Sequence, residues 1–385
     1  MSLRCFTLLA AWLMAGALCA QTYPEAPSLD GYVKYLPSLR LSSNLDEVFF
    51  DQLVHNRINF NWQIAEPVRV HAGLRTRVFQ GYNVRNVPFY RSFLEQDFGA
   101  IDASWVLFQE GSWMMHTTPD RFFVDIDKGK WRVRAGRQRI NWGINMVSNP
   151  NDLFNTYSFF DFDYEERPGT DALRVQYFAG SLSRVELAVA PGRAMNESVA
   201  AMLYSANFNG YDLQAIAGYF RNRLALGGGW AGNIKSAGFK GEVTFFSDLE
   251  PVQGVEASNV VLAFSADYLF GNGMYVLVEY LFNQQRRGVE ADLMLFVQPL
   301  SADNLSFTDH AVFATWRYPF SPVFSTGLAA FYFPTESGMF LSPSVEWSVR
   351  QNLDFMFISQ LFMGRQGSIL SQAGYLGAVV LKWSF

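Results

Sequence analysis

Four histidines, His55, His71, His116 and His310, are the side chains best suited to acid–base chemistry in this sequence. His310 directly follows Asp309, and neighbouring side chains of a strand point to opposite faces, so this pair is a poor catalytic dyad. His116 lies near Asp120 in a segment that reads as a connection. No Gly-x-Ser-x-Gly or His-Glu-x-x-His motif occurs. We therefore expect no catalytic residue, and an enzyme remains only as a lesser alternative.

The first twenty residues hold both cysteines, Cys5 and Cys19. Arg4, the apolar run that follows and the small residues before Gln21 are typical of a cleaved signal peptide over 1–20. A membrane anchor needs about 20 apolar residues, more than this run provides. A lipoprotein signal at Cys19 would require a smaller residue before it. The mature chain, 21–385, would then lack thiols, and we expect no disulfide, metal or cofactor.

Polar and apolar residues alternate along much of the remaining chain. In 57–64 the odd positions are polar and the even positions apolar, and 68–78, 345–350 and 353–361 repeat this alternation. A period of two over roughly 9–13 residues predicts β-strands with one apolar and one polar face. An antiparallel sandwich and a membrane barrel both fit that pattern.

Strand length, aromatic strand ends and the export signal favour the barrel over the sandwich. Outer-membrane barrels are built from alternating segments of about ten residues with aromatic girdles. In lipid a sheet must close so that every backbone group is paired. We predict an all-β fold: one domain forming a transmembrane antiparallel β-barrel of about 18 strands, although 16 also fit, located in the cell outer membrane.

Turn residues separate the predicted strands. Short turns are expected on the periplasmic side at 66–67, 128–130, 180–183, 209–210, 231–233, 271–273, 318–322 and 350–352. Longer, extracellular connections are expected at 42–53, 81–98, 141–170, 190–198, 248–257, 284–308, 333–338 and 364–371. Residues 99–112 would be loop or strand extension above the membrane.

The sequence ends on an aromatic strand, 375–385. Tyr375, Trp383 and Phe385 share one face of the alternation. We interpret this stretch as the closing strand with its aromatic face toward lipid. It resembles the C-terminal signal that the barrel-assembly machinery recognises, and the alternative is an ordinary buried strand.

A barrel of 16–18 strands is wide enough for a water-filled lumen, so the inward polar residues carry the functional information. The predicted pore-lining residues are Lys34, Arg40, Arg57, Arg69, Arg75, Arg77, Arg132, Arg134, Arg174, Asp267 and Glu279. The first half of the chain supplies a basic wall, and the second half, with Glu242, Glu346 and Asp354, a mildly acidic one. Such walls would orient polar solutes, although the arginines could also simply solvate the interior.

A family resemblance lies in 136–175, in the stretches "GRQRINWG", "NPNDLFN" and "ERPGTDALRV". These stretches resemble a large group of Gram-negative porin-like outer-membrane proteins and, more distantly, arginine-lined polysaccharide-export barrels. The resemblance covers about 40 residues and implies a passive channel without catalytic residues.

The same region predicts a constriction loop over 141–170, because structureless connections of about 30 residues are rare unless functional. Its proposed charged residues are Arg137, Arg139, Asp152, Asp161, Asp163, Glu165, Glu166 and Arg167, with Asp171 as a further acid. We expect the loop to fold inward with its acids toward the arginines. An outward extracellular flap is the alternative.

The predicted function is passive diffusion of small polar or anionic solutes through the outer membrane. An exporter of an anionic polysaccharide is the main alternative, favoured by the basic strands but not by the net charge of −5. No basic patch on a soluble fold supports nucleic-acid binding. The small residues of 199–232 are a candidate surface for a homo-oligomer.

Overall fold

The computed structural model describes residues 26–97, 99–156, 159, 169–286 and 300–385. The predicted signal peptide, 1–20, lies outside these residues. Among them, no helix is long and apolar enough to span a bilayer.

Strands dominate the described chain. They are β1 (Ser28–Leu41), β2 (Val48–Ala65), β3 (Val68–Gly81), β4 (Trp105–Glu110), β5 (Trp113–Lys128), β6 (Trp131–Gln138), β7 (Thr170–Gly180), β8 (Ser183–Ala190), β9 (Val199–Phe208), β10 (Tyr211–Phe220), β11 (Arg223–Ile234), β12 (Ala237–Asp248), β13 (Ser258–Leu269), β14 (Tyr275–Asn283), β15 (His310–Ser321), β16 (Phe324–Phe333), β17 (Gly338–Arg350), β18 (Leu353–Met363) and β19 (Tyr375–Ser384). Short helices are α1 (Tyr82–Asn86), α2 (Tyr90–Leu94) and α3 (Ile369–Gln372), with a 3₁₀ turn at Met195–Glu197.

The sheet closes on itself as an antiparallel barrel of 18 strands. Each barrel strand pairs with the next along the chain, except that β3 pairs with β5, and β19 returns to β1. The predicted fold class is confirmed, and the alternative of 16 strands is wrong.

The extra strand, β4, lies outside the barrel ring. It pairs with Trp113–Thr117 of β5, whereas β6 pairs with β5 only from Phe122 onward. β4 therefore continues the sheet beside β5 where β6 has ended. This agrees with the prediction of loop or strand extension over 99–112, because residues 105–110 form the strand and the rest is connection.

Most turns lie where the sequence places them, but several connections differ. β2 already begins at Val48, inside the connection predicted over 42–53, and β15 continues to Ser321 through most of the turn predicted at 318–322. The turn predicted at 231–233 falls inside β11, and the chain instead reverses at 235–236, where Lys235 has a φ of 57°. The link between β10 and β11 has only two residues, Arg221 and Asn222, with φ of 50° and 64°. This tight loop lies on the long-loop side, so the expected asymmetry of loop lengths fails there.

The inner face is less polar than the alternation predicts. Phe313, Phe331 and Phe340 point inward and are almost fully buried. Their rings pack against one another and against Phe159 at centroid distances of 4.7–6.2 Å. A second inner cluster joins Leu53, Phe79 and Met114 to residues of α1 and α2. These clusters form because segments from the loop side fold inward and cover the wall.

The closing strand is as predicted. β19 pairs with β1 from Leu41↔Tyr375 to Tyr32↔Ser384. The amide of Phe385 donates to the carbonyl of Gly31 at 2.9 Å, and the reverse bond is 3.0 Å. Trp383 and Phe385 are exposed on the outer face, where a bilayer would cover them.

Candidate functional site: the lumen and its inner segment

The strand end that precedes the predicted constriction loop bends at Gly136. Its φ is 116°, and a Cβ there would lie 2.3 Å from the carbonyl oxygen of Phe122, so only glycine fits. Gln138 is fully buried, and its Nε2 donates to the carbonyl oxygen of Ala172 at 2.9 Å. In the "GRQ" motif, Gly136 therefore allows the bend, and Gln138 attaches the bent strand end to β7.

Arg137 fastens the same bend to the rim. Its guanidinium contacts Asp171 at 2.8 Å and Asp97 at 2.7 Å, and it also donates to the carbonyl of Ile101 at 2.7 Å. Charge-assisted bonds of this kind are among the stronger ones in proteins. The expected pairing of Arg137 with Asp171 is present.

Beyond β6 the chain enters the barrel. We name its described part, 139–156, the inner segment. The amide of Ile140 donates to Oδ1 of Asn155 at 2.8 Å, which ties its two ends together. The indole of Trp142 donates to Glu186 at 2.5 Å. Gln214 donates to the carbonyl of Trp142 at 2.9 Å. The inner segment therefore lies along the inside of the wall and is not an outward flap.

Two glutamates of the barrel wall hold the backbone of the inner segment. Glu242, on β12, accepts hydrogen bonds from the amides of Ile144, Asn145 at 2.7 Å and Asn151 at 3.0 Å. Glu279, on β14, accepts from the amides of Val147 at 3.3 Å and Ser148 at 2.7 Å. Both side chains are at most 1% exposed. We call the inner faces of β8–β14, with Glu186, Glu242 and Glu279, the glutamate wall.

Side chains add further attachments to the glutamate wall. Asn145 donates to the carbonyl of Ala263 at 3.1 Å and accepts from Ser265 at 2.9 Å. Asn151 donates to the carbonyl of Gly228 at 3.0 Å and accepts from Thr244 at 2.7 Å. The side-chain amide of each asparagine thus both donates a hydrogen bond to the wall and accepts one from it. These bonds fix the position of the inner segment.

Glycines in β11 make room for this approach. A Cβ at Gly227 would lie 2.5 Å from Oδ1 of Asn151, and one at Gly229 would lie 2.9 Å from Cδ1 of Ile144. Gly228 faces outward, and its Cβ would meet nothing closer than 3.6 Å. Glycine inside a strand commonly marks a close approach by other chain. The two inward glycines form the floor on which the inner segment lies.

The opposite side, the inner faces of β19, β1–β3 and β5–β7, is the basic wall. One row runs through paired positions Lys382, Lys34, His55, Arg77 and His116. A second row pairs Arg57 with Arg75. A third runs through paired positions Arg69, Asp125, Arg134 and Arg174. Every predicted basic pore-lining residue lies on this wall.

Carboxylates within or beside the basic wall hold several of its arginines. A register shift in β5 leaves Asp120 without a ladder partner, and its carboxylate pairs with buried Arg57. Asp125 contacts Arg132 and Arg134. Arg174 contacts Glu186 at 2.6 Å. Arg132, Arg134 and Arg174 keep 30%, 18% and 15% of their side-chain surface exposed.

The other predicted residues lie in varied places. Arg40 is half-buried near Asn83, and Arg69 is exposed beside Gln63. Asp267 pairs with Lys240 at 3.4 Å. The strand position of Glu279 predicts that it lines the open lumen. This prediction is wrong, because the inner segment covers Glu279.

The predicted constriction-loop charges are only partly described. Asp152 is buried in the inner segment. Arg139 is half-buried near the start of the inner segment. Asp161, Asp163, Glu165, Glu166 and Arg167 lie outside the described residues. Their expected placement toward the arginines stays a prediction.

One serine–histidine pair lies on the inner face of the basic wall, and the enzyme alternative stays untested. Oγ of Ser104 lies 2.7 Å from Nε2 of His116, a contact that the sequence did not predict. Arg77 donates to Nδ1 of that ring at 3.3 Å, which leaves the ring proton on Nε2. A general base would need the opposite tautomer. The described residues also contain no group of three or more potential metal ligands.

Comparisons with solved structures find the same barrel fold in other proteins. No model of a known protein family matches the chain, and no curated protein matches it in sequence. In structure it resembles OccAB1 of Acinetobacter baumannii, with a TM-score of 0.59 at 10% identity over 95% of this chain and 98% of that one. OccK11 of Pseudomonas aeruginosa gives 0.58 at 8% over 93% and 96%. OmpF of Salmonella typhi gives 0.51 at 10% over 93% and 97%. At these identities the likeness establishes the shared barrel fold.

Sequence reasoning missed several residues that hold the site together. Nothing in the sequence distinguishes Glu186, alternation identifies Glu242 only as an inward charge, and Trp142 is only one residue of a motif. The consecutive glycines 227–229 were the available signal, because three glycines in a strand point to a close neighbour. Which neighbour fills the space depends on contacts between residues far apart in sequence.

Proposed function

We propose that this protein is a porin-like channel of the outer membrane, through which small polar or anionic solutes diffuse passively. The observation that carries the proposal is a closed 18-stranded barrel with a chain segment folded against one inner wall and arginines on the other. Strands of this number enclose a lumen rather than a packed core. The structural neighbours, which are outer-membrane porin channels, support the same function.

The basic wall supports a preference for anions. Arg132, Arg134 and Arg174 retain exposed surface inside the barrel. Glu242 and Glu279 of the opposite wall direct their carboxylates at backbone amides. A passing ion would then meet more positive than negative charge, and fixed charge in a narrow lumen selects for the opposite sign.

Planar-bilayer recording of the purified mature protein tests this proposal. We expect stepwise current increments and a reversal potential that favours anions across a salt gradient. The preference should weaken as salt rises, because screening lengths fall from about 10 Å at 0.1 M to about 3 Å at 1 M. Protein that is folded and inserted but carries no current would refute the proposal.

Export of an anionic polysaccharide is the second candidate, favoured by the basic rows of β1–β3. The two functions differ in what blocks the current. A long acidic polysaccharide should occlude an export channel at low concentration from the periplasmic side. A diffusion channel should respond equally to short and long acidic sugars at matched charge.

Two further assignments belong to this proposal. The exposed Trp383 and Phe385 on the closing strand would contact lipid and engage the barrel-assembly machinery. The outer face of β9–β11 carries small and apolar side chains, which would suit packing against a second copy.

A further inference from the structure

We propose that Glu242 and Glu279 are positioning residues that set the conducting width of the channel and, while they do so, hide their own charge from permeating ions. This inference rests on the proposed channel function. It assigns to two side chains a task that their place on an inner wall does not by itself suggest.

The first step is the number of backbone donors that these carboxylates satisfy. Glu242 accepts from three amides of the inner segment and Glu279 from two. A buried amide that loses its acceptor costs about 1–3 kcal/mol. Residues 144–151 form no regular secondary structure, so their amides lack the ladder partners of a strand or helix. The two carboxylates therefore replace secondary structure as the acceptors of this stretch.

The second step is how Glu242 distributes its bonds. One oxygen accepts from Ile144 and Asn145, and the other accepts from Asn151. It therefore bridges the two limbs of a bend whose tip reaches Glu279. A glutamine could keep the first oxygen, but its amide group would then face the amide of Asn151, donor against donor. Glu242→Gln keeps the size of the side chain, so this substitution should loosen the bend without leaving a cavity.

The third step concerns charge. Glu242 and Glu279 are at most 1% exposed and lie beneath the inner segment. By contrast, Glu346 on β17 faces the same lumen, where it pairs with Arg317 and keeps 45% of its side chain exposed. While the segment is seated, ions in the lumen are shielded from the first two carboxylates but not from the third. The position of the inner segment and the ion selectivity of the lumen thus both depend on the carboxylates of Glu242 and Glu279.

The experiment compares single-channel currents of the full mature protein and of Glu242→Gln/Glu279→Gln. We expect the double variant to conduct more and with greater open-channel noise, because a loosened segment no longer holds its place. Anion preference should fall only modestly, since the freed wall is neutral. Glu346→Gln, which removes an exposed carboxylate from the same lumen, is the matched control and should leave the noise unchanged.

A reversible tether separates loosening from misfolding. Asn145 and Ser265 contact each other across the gap, so Asn145→Cys with Ser265→Cys should form a bridge in a mature chain without other thiols. In the double-glutamine background the oxidised bridge should restore the wild-type current, and a reductant should release it. If the double variant does not fold, the tether in Glu279→Gln alone carries the same test.

The outcomes distinguish the two proposals. Wild-type protein that never conducts removes the channel function itself. Wild-type protein that conducts, together with a double variant of unchanged conductance and noise, refutes the positioning role and leaves the channel function standing.

Discussion

In the basic wall, arginines pair with carboxylates of side chains that belong to the barrel or its rim. In the glutamate wall, two carboxylates instead bind backbone amides of the inner segment. Arg57 pairs with Asp120, and Arg134 with Asp125, both between strands of the ring. Glu242 and Glu279 instead bind amides of a segment that lies far away along the chain. The first arrangement should stabilise the ring, and the second should place a movable part.

The largest expected effect is on the basic wall. In Asp120→Ala the guanidinium of Arg57 loses a buried carboxylate partner, and breaking such a pair costs about 3–5 kcal/mol. The free energy of unfolding in lipid vesicles, measured by urea titration, should fall by that amount. Asp127→Ala, an exposed acid on the same strand, is the control and should change the unfolding free energy little. Equal losses in both variants would remove the distinction between paired and unpaired acids.

A smaller effect is expected on the glutamate wall from Gly227→Val. The new side chain would overlap Asn151, and overpacking costs about 1–3 kcal/mol unless the segment moves away. We expect the segment to lift, conductance to rise and selectivity to shift toward cations, because the carboxylates of Glu242 and Glu279 become accessible. The two variants therefore differ in the cause of the change in selectivity. Gly227→Val exposes two carboxylates, whereas the double-glutamine variant has no carboxylates at these positions to expose.

Gly228→Val supplies the matched control for that variant. It lies one position along the same strand but points outward, where a Cβ would make only an ordinary contact with the carbonyl oxygen of Gln214 at 3.6 Å. Its current should equal that of the wild-type protein. If both glycine variants behave alike, the inner segment does not depend on the floor of β11.

The smallest expected effect is on selectivity alone. Arg134→Gln removes one partly exposed charge from the basic wall, and the reversal potential should move slightly toward cations at low salt and not at high salt. Lys240→Gln, a partly exposed cation of the glutamate wall, provides the comparison. An equal shift in both variants would mean that the two walls contribute alike and that the asymmetry has no functional weight.

The strands of the barrel can be predicted from the sequence more completely than the segments and side chains that fill its lumen. Alternation in 57–64 and 68–78 predicts β2 and β3, and the aromatic face of 375–385 predicts the closing strand. These features follow from local periodicity, which a single segment reveals. The turn predicted at 231–233 is wrong because the loop-like "AGN" continues as strand, where its ladder to β12 runs unbroken.

The contents of the lumen depend on distant pairs that no local pattern encodes. Glu279 sits at an inward strand position, and periodicity alone assigns it to the pore surface. Its burial comes from Val147 and Ser148, which lie more than a hundred residues earlier in the chain. Inward phenylalanines such as Phe313 and Phe331 likewise read as exceptions until the covering segments are known.

The seam between β1 and β19 constrains the order in which the molecule can form. Nearly every other neighbour in the ring is also a neighbour along the chain, so hairpins can zip up one after another. The seam joins residues 31 and 385 and must wait until the whole ring is present. Until then two rows of backbone groups stand open, which hydrocarbon does not tolerate. Completion should therefore be abrupt, with no long-lived intermediate that holds all strands but one.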